Sequence, residues 1–138
     1  MKPALLDKAT ILLIAGERET TYQLNRVLGG AGYRCLDCYS EADAQRAALE
    51  LRANLIICDV HLGGEDGREV CRRLKRHEQL SDAALMFLSA SQTADVVRGN
   101  HGAESVYYLR KPIDAQVLLE LVDRALWMRH SARQRVTV

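Results

Sequence analysis

The stretch NLIICDVHLGGEDG, residues 54–67, passes within six residues from apolar β-formers to an acid and then to a glycine-rich loop. A short apolar run that stops at a turn-forming cluster reads as a buried strand, here with Asp59 as its last residue. Four further runs of this kind occupy residues 10–15, 34–39, 84–89 and 105–110. Segments of helical period separate them, which is the signature of a parallel sheet with helices on both faces.

Leu24, Val27, Leu28 and Ala31 fall at helical spacing, so a helix is expected over 19–30, weakened at its end by Gly29 and Gly30. Ser40 can cap a second helix with Asp43 three residues on, and Ala44, Ala47, Ala48 and Leu51 form its inward stripe. A third helix is expected over 67–77, with Val70, Cys71 and Leu74 inward. Its outer face carries Arg68, Arg72, Arg73, Lys75 and Arg76, which reads as a solvated surface ahead of a dock for an acidic partner. A short fourth helix is expected over 93–99. The fifth starts after Asp114 as N-cap and carries Val117, Leu118, Leu121, Val122, Ala125 and Met128 to about His130, leaving a short basic tail from about 131.

The chain has 138 residues, about one domain, and 48% apolar residues suffice for a core without disulfides. One domain over 1–138 is expected. Nineteen basic and eighteen acidic residues leave a formal charge of +1, too little for a field that would hold nucleic acid or an anionic membrane. No apolar run approaches the roughly 20 residues of a membrane span, and the first residues lack the apolar core of a secretory signal. The expected location is the cytoplasm. Cys35 and Cys38 have a spacing used by metal sites, but on a strand they point to opposite faces, and reduced thiols are expected for all four cysteines.

Ligands of such sheets bind beyond the carboxyl ends of the strands. Those ends present Ala15 and Gly16, Asp59, Ser89 and Ala90, and Lys111 and Pro112. A carboxylate, a hydroxyl and an ammonium at one rim fit phosphoryl transfer to Asp59. The carboxylate attacks, Ser89 hydrogen-bonds a phosphoryl oxygen, and Lys111 neutralises developing charge.

At this point the chain resembles the receiver domains of two-component response regulators over nearly its whole length. The likeness rests on Gly32-Tyr33, the D-x-x-L-x-G-x-D-G run at 59–67, Ser89-Ala90, Tyr108 and Lys111-Pro112, in order and with spacings of thirty and twenty-two residues between Asp59, Ser89 and Lys111. It implies a flavodoxin-like (βα)5 fold with strand order 2-1-3-4-5. It implies Asp59 as phosphoacceptor, Ser89 and Tyr108 as a switch pair, and a cis bond between Lys111 and Pro112. A histidine kinase or phosphotransfer protein would be the donor, and a downstream protein or output domain the target. The fourth helix, last strand and fifth helix would form the partner surface, one able also to support a homodimer.

The resemblance also implies magnesium, held by two adjacent acids at the end of the first strand together with the phosphoacceptor. Counting back from Gly32-Tyr33 places that pair on Ala15 and Gly16, neither of which can ligate through a side chain. Magnesium takes oxygen ligands, one or two of them carboxylates, so Asp59, a backbone carbonyl near His61 and a displaced Glu17 promise only weak affinity. With two acids gone, Asp59 and Lys111 can simply pair. At about 4 Å such a pair gains roughly 4 kcal/mol at an effective dielectric near 20, before desolvation. The domain is then a receiver of impaired metal binding, or a pseudo-receiver that binds its partner without phosphorylation. His61 reads as an exposed loop residue, and Gly63, where the family often has proline, as loosening that loop. A phosphatase of the haloacid dehalogenase kind wants a second Asp where His61 stands, and GGAG at 29–32 ends a helix, unlike a nucleotide loop. A turnover enzyme is not expected.

Overall fold

The computed structural model describes residues 9–90 and 106–136. Strands β1 (Thr10–Ile14), β2 (Arg34–Cys38), β3 (Leu55–Asp59), β4 (Ala84–Ser89) and β5 (Val106–Arg110) form one parallel sheet in the order β2-β1-β3-β4-β5. This is the flavodoxin-like order expected from the sequence. The helices are α1 (Arg18–Gly30), α2 (Glu41–Ala48), α3 (Gly67–Leu74) and α4 (Ala115–Val136). The helix expected over 93–99 lies outside the described residues.

Alternation along the strands separates two cores. Ile11, Leu13, Leu55, Ile57, Met86 and Leu88 meet Leu24 and Leu28 of α1 and Leu118, Val122 and Ala125 of α4. On the opposite face Leu12, Ile14, Ile56, Cys58 and Phe87 meet Ala44 and Ala48 of α2 and Val70, Cys71 and Leu74 of α3. Each fully buried Leu or Ile contributes roughly 1.5–3 kcal/mol, so β1 and β3, apolar on both sides, anchor the domain. Cys35 and Cys38 fall in different cores, as their strand spacing requires, and all four cysteines are free thiols.

Local chemistry sets the helix ends. The Asp43 N–H donates to Ser40 Oγ at 3.1 Å, and Gln116 N–H to Asp114 Oδ1 at 2.9 Å, so both expected N-caps form. After α1 the Tyr33 N–H reaches the Leu28 carbonyl and the Gly32 N–H the Gly29 carbonyl, with Gly32 at φ 98°. This is a Schellman close that needs glycine at the left-handed position.

Three helix ends depart from expectation. α2 stops at Ala48, so Leu51 lies beyond it, half-buried. α3 stops at Leu74, because Arg76 and His77 bond back only three residues, to Arg73 and Leu74, and tighten the turn. α4 continues to Val136, past His130, since nothing between 131 and 136 is Gly or Pro.

Candidate functional site

β3 delivers Asp59 to the carboxyl rim, and the chain then folds back at once. His61–Leu62 pairs antiparallel with Glu65–Asp66, and Gly63 and Gly64 close the turn at φ 54° and 88°. Two consecutive positive φ values make a two-residue hairpin of the I′ kind, for which Gly-Gly is suited. Gly63 therefore builds an ordered turn where loosening was expected. The hairpin ends where Gly67 begins α3, with the Gly67 N–H on the Val60 carbonyl at 2.6 Å. A Cβ at Gly67 would stand 2.0 Å from the Asp59 carbonyl oxygen and 3.0 Å from Cys58 Sγ, so only glycine lets α3 start against this strand.

Asp59 is 7% exposed, and both its carboxylate oxygens have partners. Oδ1 accepts the His61 backbone N–H at 3.2 Å, and Oδ2 accepts Lys111 Nζ at 2.5 Å. Lys111 arrives from the end of β5, where its N–H donates to the Ser89 carbonyl at 2.9 Å and its bond to Pro112 is cis. Ser89 is buried one residue beyond Leu88, the register partner of Asp59 across β3 and β4. Asp59 and Lys111 are thus in direct contact, and Ser89 shares their rim, one strand away from Asp59. The His61 side chain is exposed, as read from the sequence, beside a cavity of about 220 Å3 that Gly64, Asp66 and Arg68 also line.

At the other half of the rim Ala15 is fully buried and Gly16 exposed. Glu17 is exposed at the N-cap of α1, where its side chain caps nothing. Among the described residues no group of three His, Cys, Asp or Glu side chains is placed to hold a metal ion. The donor set is poor for magnesium: Asp59 already carries the Lys111 ammonium, and Ala15 and Gly16 bring no side-chain oxygen.

Tyr107 and Tyr108 fall in opposite cores, the arrangement expected of neighbours on a strand. The Tyr108 ring lies 5.7 Å from that of Phe87, and among the described residues its buried hydroxyl has no hydrogen bond of normal geometry. The charged group beside it is the Arg68 guanidinium, which grips Asp66 through Nε at 3.0 Å and Nη2 at 2.9 Å. That fork holds the Asp66 carboxyl below the usual carboxylate range.

On the basic face of α3 the arginines Arg68, Arg72 and Arg73 are each paired with a carboxylate. Arg73 spans Glu41 of α2 at 2.7 Å and Glu65 of the hairpin at 3.0 Å, Arg72 meets Glu69 at 2.6 Å, and Lys75 donates to the Ala83 carbonyl. Sequence reading left these as surface charges. The Asp66-x-Arg68 spacing, a cap with a cation two residues on, and the i,i+3 spacing of Glu69 and Arg72 were local signals, whereas the partners of Arg73 were not.

An open parallel sheet with a buried, lysine-paired aspartate at its carboxyl rim defines a class of aspartate-centred α/β domains. Within that class the chain belongs to the response regulator receiver domain family, whose model matches residues 11–123. It is 34% identical over 119 residues to the transcriptional regulatory protein GltR of Pseudomonas aeruginosa, covering 85% of this chain and 48% of that protein. To the transcriptional regulatory protein AfsQ1 of Streptomyces coelicolor it is 34% identical over 110 residues, covering 79% and 47%. The chain spans about half the length of these curated relatives. A putative response regulator from Chloroflexus aurantiacus superposes with a TM-score of 0.76 at 28% identity, covering 86% of this chain and 98% of that one. The chemotaxis protein CheY4 of Vibrio cholerae shares the fold, with a TM-score of 0.79 at 20% identity over 86% and 99%. No helix of the described residues is long and apolar enough to cross a membrane.

Proposed function

We propose that Asp59 accepts a phosphoryl group from a phosphohistidine of a histidine kinase or phosphotransfer protein, slowly and with weak use of magnesium. The change then alters how the domain engages a downstream protein. The observation that carries this reading is the buried Asp59 carboxylate held at once by a backbone N–H and by Lys111 Nζ. A carboxylate oxygen attacks phosphorus, the phosphorus–nitrogen bond breaks, and the departing ring nitrogen takes a proton from water. Lys111 follows the charge from the carboxylate to the phosphoryl oxygens, and Ser89 donates its hydroxyl to one of them. The Lys111 ammonium must first release Oδ2, which slows attack. Tyr108, with a buried hydroxyl that has little to hold it, is the side chain that answers the new charge at Ser89. The domain signals by occupancy and does not turn over a substrate as an enzyme does.

A second reading is favoured by the same ion pair together with Ala15 and Gly16. Lys111 already neutralises Asp59, so the partner surface can be held without phosphorylation, and the domain acts as a pseudo-receiver. Intact mass after incubation with phosphoramidate or acetyl phosphate, with and without magnesium, separates the two. Slow addition of one phosphoryl group, absent in Asp59→Asn and nearly indifferent to magnesium, is expected. Rapid phosphorylation that needs millimolar magnesium would contradict the weak-metal reading. No addition at all, with Asp59→Asn signalling normally, would establish the pseudo-receiver.

A further inference from the structure

A groove of about 410 Å3 lies between α1 and β2, the outermost strand at the opposite end of the sheet from Lys111. Arg18, Tyr22 and Arg26 line it from α1 at intervals of four residues, so they share one helix face. The Arg18 guanidinium lies 5.2 Å over the Tyr39 ring and that of Arg26 6.0 Å over Tyr22. Neither forms an ion pair among the described residues, whereas Arg46, Arg68, Arg72 and Arg73 each do. Asp37 is the acid in the groove, and its Oδ1 accepts from Asn25 at 3.0 Å. Two guanidiniums against one carboxylate leave the groove cationic. Tyr22, 58% exposed, stands between them, and Arg with Tyr is a pairing enriched where proteins bind proteins.

The groove meets the end strand of the sheet at Asp37. Among the described residues β2 pairs with β1 alone, and its ladder uses the Arg34 N–H and the Cys38 carbonyl. By the alternation of a parallel ladder, Cys35 and Asp37 direct their N–H and C=O groups away from β1, toward the edge. Eight residues of helix separate Arg18 from Arg26, about 12 Å along the axis. An extended chain covers about 13 Å in four residues, and residues four apart point to the same side.

We propose that this groove binds an extended acidic segment of a partner protein, added as a further strand along β2, with carboxylates four residues apart reaching Arg18 and Arg26. Backbone hydrogen bonds to Cys35 and Asp37 hold the segment, and charge-assisted bonds to the two guanidiniums set its register. The residue midway faces Tyr22 and Asp37, which suits a hydroxyl donor. A small anion could meet the guanidiniums but has no use for the edge amides. Binding here does not depend on Asp59.

The blocked peptide TEVTVET, titrated calorimetrically into the full chain at low salt, tests this. A Kd on the order of 100 μM is expected, weakened at least tenfold by TEVTEVT, whose acids stand three apart. Arg18→Glu and Arg26→Glu, both at exposed positions, should each weaken TEVTVET at least tenfold, and Arg124→Glu on α4 by less than twofold. The Cys35 and Asp37 amides should exchange more slowly with peptide bound. No binding at about 1 mM peptide, equal affinity for the two spacings, or unchanged β2 amides would overturn the proposal. Displacement of the peptide by equimolar AMP or inorganic phosphate would also overturn it, in favour of a small-anion site.

Discussion

Two glycines flank Asp59 and stand in opposite situations. A Cβ at Gly16, past the end of β1, would have the Gly63 amide nitrogen at 3.7 Å as its nearest neighbour, an ordinary contact. A Cβ at Gly67 would collide with the backbone of Asp59 itself. One half of the rim is therefore fully determined by packing, while the other half has room that the chain does not use. The first half holds the aspartate, the hairpin and the lysine, and the second is where charge is missing. The largest predicted effect tests the packed half. Gly67→Ala should destabilise the domain by about 3 kcal/mol or more, because α3 or the end of β3 must move. Gly16→Ala should change stability by less than about 0.5 kcal/mol. Urea denaturation of both variants measures the contrast, and equal loss in the two would erase it.

The next effect concerns the ion pair that closes the packed half. The Asp59 side chain is 10% exposed and that of Lys111 26%, so neither charge is well hydrated. Lys111→Met leaves Asp59 buried with only the His61 N–H, and should cost about 2 kcal/mol, below the range for fully buried pairs because water still reaches Lys111. Asp59→Asn combined with Lys111→Met should recover most of that loss. A double-mutant cycle by thermal unfolding gives the coupling, and additive losses would show that the contact contributes nothing.

The same contrast explains what could be read without coordinates. Strand content, both N-caps and the meeting of Asp59 with Lys111 follow from local patterns and from the parallel topology that brings strand ends together. The ordered hairpin was missed because proline-versus-glycine reasoning treats a loop as a length of free chain. Gly63 and Gly64 instead supply the two positive φ values a tight turn requires. Arg73 looked like surface charge because its partner Glu41 lies 32 residues away, beyond any helical spacing. Nothing local stops α4 at His130: the expected end followed the apolar stripe, which runs out at Met128, while residues 131–136 hold no Gly or Pro.

The empty half of the rim yields a gain. Gly16→Asp adds a carboxylate where there is space, at one of the two positions where the proposed weak use of magnesium has its origin. It should raise magnesium-dependent phosphorylation by acetyl phosphate about tenfold, equivalent to about 1.4 kcal/mol. Initial rates with and without the ion, by intact mass, report it. An unchanged rate would mean that Lys111 keeps Asp59 closed even beside a second acid.

The smallest effect lies where the hairpin meets α3. Asp66 is held below its ordinary pKa chiefly by the hydrogen bond from Arg68, so the folded state binds its proton less readily than the unfolded chain does. The stabilisation is fully present above the unfolded carboxylate value near 4, and it is lost as pH falls through the lower folded value. The Asp66 side chain is 39% exposed and solvent screens the pair, so the loss should stay below about 1 kcal/mol. Asp66→Asn keeps a cap oxygen for the Arg68 N–H but removes the titration. Comparing urea midpoints at pH 6 and pH 3 should show a slightly smaller drop for Asp66→Asn than for the parent. Equal drops would place the acid sensitivity of this half of the rim on carboxylates other than Asp66.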